Sequence, residues 1–232
     1  MPDTQANKRV VLSWSSGKDS AWTLYQLQQQ GIEVVALLTT FNAEFDRVAM
    51  HGTRRPLVEA QARATGIPLF PVMLPWPCSN DDYERIMSSA LAELQERFQP
   101  DHYAFGDLYL EDIRAYREKQ MAETGLELLF PLWQRDTAAL AAEMIAGGLR
   151  AVLTCVDPKQ ASAEFCGREF DQSLLAELPE GVDPCGENGE FHSFVHAGPM
   201  FQQTLAIDVG ETLERDGFVF TDVQLSDPAF KE

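Results

Sequence analysis

Short apolar runs alternate with amphipathic stretches along the first two thirds of the chain. Val10-Val11-Leu12 is the first run and Ala21 to Gln30 the first amphipathic segment. Val34 to Phe41 reads VVALLTTF, a continuous apolar and β-branched pattern that suits a strand buried on both faces. Pro56 fits the first turn of a helix over Leu57 to Thr65, and Leu69 to Leu74 predicts a third strand. The helix expected after Ser79, Asn80 or Asp81 carries Ile86, Met87, Ala90, Leu91, Leu94 and Phe98 at spacings of three and four, which makes that stripe core. His102 to Leu108, residues 126–133 and Ala151 to Val156 predict further strands. A helix from Leu110, and another from Asp136 or Thr137 through Ile145, fall between them. Alternation at this spacing predicts a doubly wound, mostly parallel α/β sheet. After it, Ala161 to Leu178 reads as helical. TLAIDV and FVFTDVQL, separated by GETLERDG, read as an antiparallel hairpin. The expected division is an α/β domain over residues 1–133 and a smaller C-terminal α+β part over 134–232.

Candidate chemistry gathers where the predicted strands end. Ser15-Ser16-Gly17-Lys18-Asp19-Ser20 joins the first strand to the first helix. Backbone N–H groups of such a loop, with those of the helix N-terminus, make an anion cradle, and phosphate is the expected anion. Lys18 would add a point charge, and Ser15, Ser16 and Ser20 hydroxyl donors. The loop is not a Walker A motif, because Leu12 stands where the first glycine belongs and Asp19 where Ser or Thr belongs. An ordinary serine-rich turn is the plain alternative, but ligands of open α/β sheets bind at the carboxyl ends of the strands. Leu38, Thr39 and Thr40 would border a base or ribose, or only pack. His51 and Gly52 with Arg54 and Arg55 form a basic cluster that faces phosphate or a substrate acid, or else solvent. Gly106 and Asp107 close the fourth strand, and Asp107 would hold magnesium or a substrate amine. Arg114 and Arg117, one turn apart, would clamp phosphate or carboxylate, or pair with Glu111, Asp112 or Glu118. Between Asp183 and Phe194, acids, an Asn, a His and glycines crowd together, a composition for which packing offers no reason.

Composition narrows the field. The 232 residues are 45% hydrophobic and 23% charged, which suits one α/β domain with a modest appendage. No run of about 18 apolar residues predicts a membrane span. The first residues lack a signal peptide's apolar core, so cytoplasm is the default. A formal net charge of −18 disfavours passive nucleic-acid binding. Cys78, Cys155, Cys166 and Cys185 are widely spaced with no C-x-x-C pair, so buried, reduced thiols are expected; Cys185 is set apart by its neighbours.

SSGKDS resembles the pyrophosphate loop SGGxDS of ATP pyrophosphatases, with Ser16 at the first glycine position. Together with GDL, Arg114, PLW and above all GENGEFHSF, the chain resembles the diphthine–ammonia ligase family of the adenine nucleotide alpha hydrolase-like group, over residues 9–220. Ser193 replaces the usual Thr of that motif and keeps a hydroxyl. The resemblance implies a Rossmann-like, HUP-type fold that uses ATP and Mg2+. Ser15, Ser16, Gly17, Lys18, Asp19, Ser20, Leu38, Thr39 and Gly106 would line ATP, with Asp19 on the metal. A substrate carboxylate would attack the α phosphorus and release pyrophosphate, and ammonia would then displace AMP to give an amide. Glu187, Asn188, Glu190 and His192 would hold ammonium, orient the acyl group and take a proton. His51, Asp107, Arg114, Cys185, Gly186 and Gly189 would contact the acid, which is diphthine on elongation factor 2 in the named family, or another small acid. Neither membrane nor nucleic acid is expected as a partner, and a homodimer is left open. Two other readings compete: a tRNA-modifying enzyme with the same loop, and a non-catalytic adenine-nucleotide sensor.

Overall fold

A computed structural model describes residues 8–48 and 51–226. The reading of the first residues as lacking a leader falls largely outside that range. Two sheets organise the chain. The first contains parallel strands β1 (Arg9–Ser13), β2 (Glu33–Asn42), β4 (Leu69–Leu74), β5 (His102–Ala104) and β6 (Glu127–Leu129), in the order β4-β2-β1-β5-β6. A two-residue strand β3 (Arg47–Val48) pairs antiparallel with the end of β2.

Strand β1 lies at the centre, and its two faces feed two cores. Val11 packs with Val35, Leu38, Tyr103 and the buried stripe Met87, Leu91 and Leu94 of helix α3 (Asn80–Phe98). Val10 and Leu12 face helices α1 (Lys18–Gln29) and α5 (Thr137–Ala146), through Trp22, Leu24, Leu27, Leu140 and Met144. Helix α4 (Glu111–Met121) joins the α3 side through Met121. Helix ends follow local chemistry: Ser79 accepts from the Asp82 N–H, and Asp136 from the Ala139 N–H, each cap contributing about 1 kcal/mol.

The second sheet is antiparallel: β8 (Phe191–Ala197), β7 (Arg150–Val156), β10 (Phe218–Leu225) and β9 (Ile207–Arg215), in that order. It covers the α1/α5 layer through Leu153, Phe191 and Val195. It covers α2 (Arg55–Thr65) through Val152, Phe194 and Val223 against Leu57, Ala60 and Ala64.

Four expectations about elements change. The α/β alternation runs through residue 156, yet β7 belongs to the antiparallel sheet, where β8 and β10 take its hydrogen bonds. Residues 161–178 are not one helix. A 3-10 turn at Ala163–Phe165 stops at Gly167, whose N–H donates to Leu153 O at 2.7 Å, and Phe170 N–H donates to Ala151 O at 2.7 Å. That segment lies along the edge of β7, and only α6 (Gln172–Glu177) is helical. GETLERDG is mostly strand: β9 runs to Arg215 and the turn is Asp216-Gly217, both at positive φ, the two-residue hairpin form. The fourth strand ends at Ala104 rather than Leu108.

Candidate active site

The serine-rich loop forms at the carboxyl end of β1, where the two sheets meet. Its conformation is set by tertiary contacts. Ser16 is fully buried at φ 72°, left-handed backbone that a side chain disfavours. Three bonds hold it there: its hydroxyl donates to Thr53 Oγ1 at 2.9 Å, and its carbonyl accepts from Val195 N–H and from Gln61 Nε2, each at 3.0 Å. Gln61 also donates to Val195 O and accepts from Trp14 Nε1, so one buried amide ties the loop, β8 and β1 together. Gly17 lies against His51 and Ser193; a Cβ there would fall 2.8 Å from His51 Cε1. Gly106 approaches the first turn of α1 equally closely, with a Cβ position 3.0 Å from the Asp19 carbonyl carbon. These contacts explain why glycine occupies both positions.

Gly17 at the N-cap of α1 brings no side-chain acceptor. First-turn N–H groups that a capping side chain would satisfy are thus left for a ligand, and the helix end favours an anion. One of them, Lys18 N–H, is taken by Ser193 Oγ at 3.2 Å. Ser15 and Ser20 hydroxyls lie 3.2 Å apart, and Ser20 donates to Gly17 O.

Lys18 does not extend into solvent. Its ammonium is buried, bonds to Asp19 Oδ2 at 2.8 Å and to the Cys185 carbonyl, and sits 5.5 Å from the Phe191 ring centre. Burial pulls its pKa down, but Asp19 and the other acids around it raise it on balance. Burial also raises the Asp19 carboxyl, with Asp183 adding to it against Lys18.

The segment from Asp183 to His192 folds over this loop. Asp183 Oδ1 accepts from Cys185 N–H at 2.8 Å, and Gly186 and Gly189 close successive turns. Glu187 Oε1 accepts from the N–H groups of Leu108 at 2.8 Å and Tyr109 at 3.4 Å. Burial, with Asp19 nearby, lifts the Glu187 carboxyl to about 7. Tyr109 donates to Asn188 Oδ1 at 3.0 Å, and Asn188 Nδ2 donates to Glu190 Oε1 at 2.9 Å. Glu190 is 2% exposed; its Oε1 also accepts from Asp183 N–H, and its Oε2 has no protein partner. His192, the second residue of β8, packs against His51 with ring centres 4.6 Å apart and planes tilted by 39°, and its Nε2 is buried without a partner. His51 Nδ1 donates to Ser193 O at 3.3 Å. Burial holds His51 down to about 4, and burial with the His51 neighbour holds His192 well below its ordinary value. Both imidazoles are neutral at neutral pH. Cys185 Sγ is buried and donates to Thr137 O, and burial pushes its thiol well above the ordinary range.

Other candidates lie at the edges of this site. Leu38 and Thr39 are buried, and the Thr39 hydroxyl donates to Trp14 O. Only their backbone is left to meet a nucleotide. Arg54 grips Asp222 through two bonds of 2.9 and 2.8 Å, Arg47 joins it, and Arg55 pairs with Glu59, so the basic cluster is neutralised inside the protein. Asp107 faces Arg117 at 3.7 Å, and burial raises its carboxyl. Arg114 pairs with Glu118. Thr53, Gln61 and the role of Ser193 were not foreseen; a retained hydroxyl in the GENGEFH stretch was the one hint toward Ser193.

Burial raises the Asp107 and Glu187 carboxyls, and Asp19 adds to both shifts, so the acid most suited to meet a magnesium ion beside bound phosphate would be Asp19. No cage of three or more His, Cys, Asp or Glu ligands exists among the described residues. Magnesium suits such a place, because it takes one or two carboxylates and completes its shell with phosphate oxygens and water.

A parallel sheet whose central strand leads through a small-residue loop into an uncapped helix, with an acidic segment from a second sheet folded across it, defines an α/β protein of the nucleotide-binding kind. Comparison makes this specific. Residues 8–128 match the diphthamide synthase N-terminal domain and residues 136–224 the diphthamide synthase C-terminal domain. A diphthine–ammonia ligase of Danio rerio is 30% identical over 93% of this chain and 92% of its own length; that of Bos taurus is 26% identical over 93% and 88%. A solved structure from Methanocaldococcus jannaschii, described as a predicted subunit of tRNA methyltransferase, aligns with a TM-score of 0.43 and 16% identity over 85% of this chain and all of that one. The chain belongs to the diphthamide synthase family. No described helix is long and apolar enough to cross a membrane.

Proposed function

We propose that this site adenylates a carboxylic acid and then aminates it, with residues 15–20 seating the outer phosphates and residues 183–192 handling the nitrogen. Membership of the family makes the chain an ATP-dependent ammonia ligase. One observation carries the assignment of the site. Two segments more than 160 residues apart are tied by Lys18, through its N–H to Ser193 Oγ and its ammonium to the Cys185 carbonyl.

In this reading the β and γ phosphates take the open N–H groups of α1, and the α phosphorus faces the acidic segment. Asp19 would hold magnesium, which supplies charge neutralisation on the phosphates when bound. The substrate carboxylate forms a bond to the α phosphorus, and the bond to the β-phosphate oxygen breaks, releasing pyrophosphate. Ammonia nitrogen then bonds to the acyl carbon and AMP leaves. Glu190 Oε2, buried and unpartnered, holds ammonium. Glu187 takes the proton, because a carboxyl near 7 is a far better base at neutral pH than the histidines. Asn188 orients the acyl group, and His51 and His192 give a neutral wall. Leu38, Thr39 and Gly106 border the nucleotide through backbone groups. We keep residues 1–133 and 134–232 as the nucleotide and substrate parts. The acid is diphthine, as in the names of the relatives, or another small acid, and the site of action is the cytoplasm.

The test is product analysis with a panel of carboxylic acids. AMP and pyrophosphate should appear only with an acid, and an amide only with ammonium as well. Turnover that needs RNA, or nucleotide binding without any turnover, would overturn the reading.

A further inference from the structure

Between β5 and α4 the chain passes along the acidic segment, and Tyr109 touches that segment twice. Its N–H donates to Glu187 Oε1 at 3.4 Å, and its hydroxyl donates to Asn188 Oδ1 at 3.0 Å. A further bond continues the line, from Asn188 Nδ2 to Glu190 Oε1 at 2.9 Å.

The far end fixes the direction of this relay. A carboxylate only accepts, so Glu190 turns the Nδ2 side of the Asn188 amide toward itself and the Oδ1 side away. Oδ1 then needs a donor, and the Tyr109 hydroxyl reaches it. The phenol keeps its proton: burial, Asp183, Glu190 and Glu187 raise its pKa against the bond to Asn188. The two oxygens of Glu190 are thereby told apart. Oε1 takes a second bond, from Asp183 N–H at 3.0 Å, and is held still. Oε2 is buried and meets no donor. A small cation with N–H groups of its own is the ligand that suits such an oxygen.

We propose that Tyr109 is a positioning residue: by holding the Asn188 amide in one orientation it aims Glu190 Oε2 at ammonium, and so sets the affinity for the nitrogen nucleophile. Tyr109 acts through Asn188 and touches no reacting atom. The inference rests on the ligase reading and adds to it a residue outside the acidic segment.

The experiment reads ammonium binding as stabilisation of the intact chain against urea, with ammonium chloride and tetramethylammonium chloride compared at equal ionic strength. Ammonium should give the higher midpoint, because a ligand of the native state stabilises it. The readout is the difference between the two salts, so a general weakening of the fold cancels. Tyr109→Phe, which removes only the hydroxyl, should weaken ammonium binding about tenfold and leave ATP affinity as it is. In an Asn188→Ala background the same change should weaken it no further, since the relay is already cut. A merely structural role for Tyr109 would leave the difference between the salts untouched. No ammonium-specific stabilisation of the unaltered chain, full ammonium affinity in Tyr109→Phe, or losses that add in the double variant overturns the proposal. The same proteins are then given ATP, magnesium, ammonium and the panel of carboxylic acids, where Tyr109→Phe should raise KM for ammonium about tenfold with KM for ATP unmoved. Tyr109-dependent ammonium binding with no pyrophosphate from any acid would sink the ligase reading and leave the relay. Amide formation with an unchanged KM for ammonium in Tyr109→Phe would do the reverse.

Discussion

Around residues 15–20 the side-chain polar atoms already have protein partners, whereas between residues 183 and 193 several have none. Ser16, Lys18, Asp19 and Ser20 are bonded to Thr53, Cys185, each other and the backbone. Across the seam, Glu190 Oε2 and His192 Nε2 are buried without partners, and Glu187 carries a raised pKa. In the loop half the N–H groups of Ser15, Gly17 and Lys18 also have hydroxyl acceptors, and the rest of the first turn of α1 has no capping side chain. In the proposed reading, phosphates meet the backbone at the head of α1, and the nitrogen chemistry falls to side chains of residues 183–193. A carboxylate oxygen buried without a donor, as Glu190 Oε2 is, costs stability, so in that reading the second half trades stability for reactivity while the first half holds the fold together.

Paired substitutions test that contrast most directly. Glu187→Gln keeps an acceptor for Leu108 and Tyr109 N–H but cannot take a proton. Amide formation should fall by about 10²–10⁴ while pyrophosphate release with an acid persists; single-turnover product analysis reads both. Lys18→Met should act the other way. It leaves Asp19 without its cation and the Cys185 carbonyl without its donor, at a cost of about 3–5 kcal/mol in urea unfolding. Loss of activity in Lys18→Met with unchanged stability would mean the ammonium serves phosphate instead.

Stability against pH sharpens the same point with a smaller effect. Glu187 binds its proton more tightly folded, at about 7, than at its ordinary 4.5. Between those values the native state holds the extra proton, so this group's contribution falls as pH rises through the window. Glu187→Gln removes the penalty. Above pH 7 the variant should be the more stable protein, by on the order of 3 kcal/mol at most, and the two should converge below about pH 4.5. Urea midpoints at pH 4.5, 6 and 8 measure the difference; a gap that does not widen with pH would place Glu187 in water. The histidines do not confound this comparison, because their low pKa values are common to both proteins.

Legibility followed burial. The parallel strands could be read because β1 and β2 are covered on both faces and so spell continuous apolar runs. The hairpin of β9 and β10 was legible from TLAIDV and FVFTDVQL, but the second half of β9, residues 210–215, was hidden for the opposite reason: it is exposed on both sides and shows no alternation. Strand β8 was hidden because FHSF reads as chemistry, when the same residues also form the edge strand whose Val195 N–H bonds Ser16 O. Residues 161–178 have helical spacing, but β7 competes for their backbone and wins at Gly167 and Phe170. In the site, both motif segments were legible, and what joins them was not. Gln61, Thr53 and Ser193 act across long stretches of chain, where no local pattern marks them. Arg114 was legible as a cation, while the rings beneath it, Phe130 and Trp133, depend on how the end of β6 turns.

Ser16 offers the smallest and finest test of the loop half. Its left-handed φ costs about 1 kcal/mol relative to glycine, and its buried hydroxyl bond to Thr53 returns a similar amount. Ser16→Gly should thus change stability by less than about 1 kcal/mol. Ser16→Ala keeps the strain, loses the bond and leaves the Thr53 hydroxyl without that partner, so it should cost about 1–2 kcal/mol. Neither should alter nucleotide affinity much, since in the proposed reading the phosphates meet backbone. Urea midpoints give the order of the two variants and titration with ATP their affinities. If Ser16→Gly proves the worse of the pair, the left-handed turn at this position is wrong. If both lose ATP together, the hydroxyl reaches the phosphates, and the division between a backbone mould and side-chain chemistry fails at its first residue.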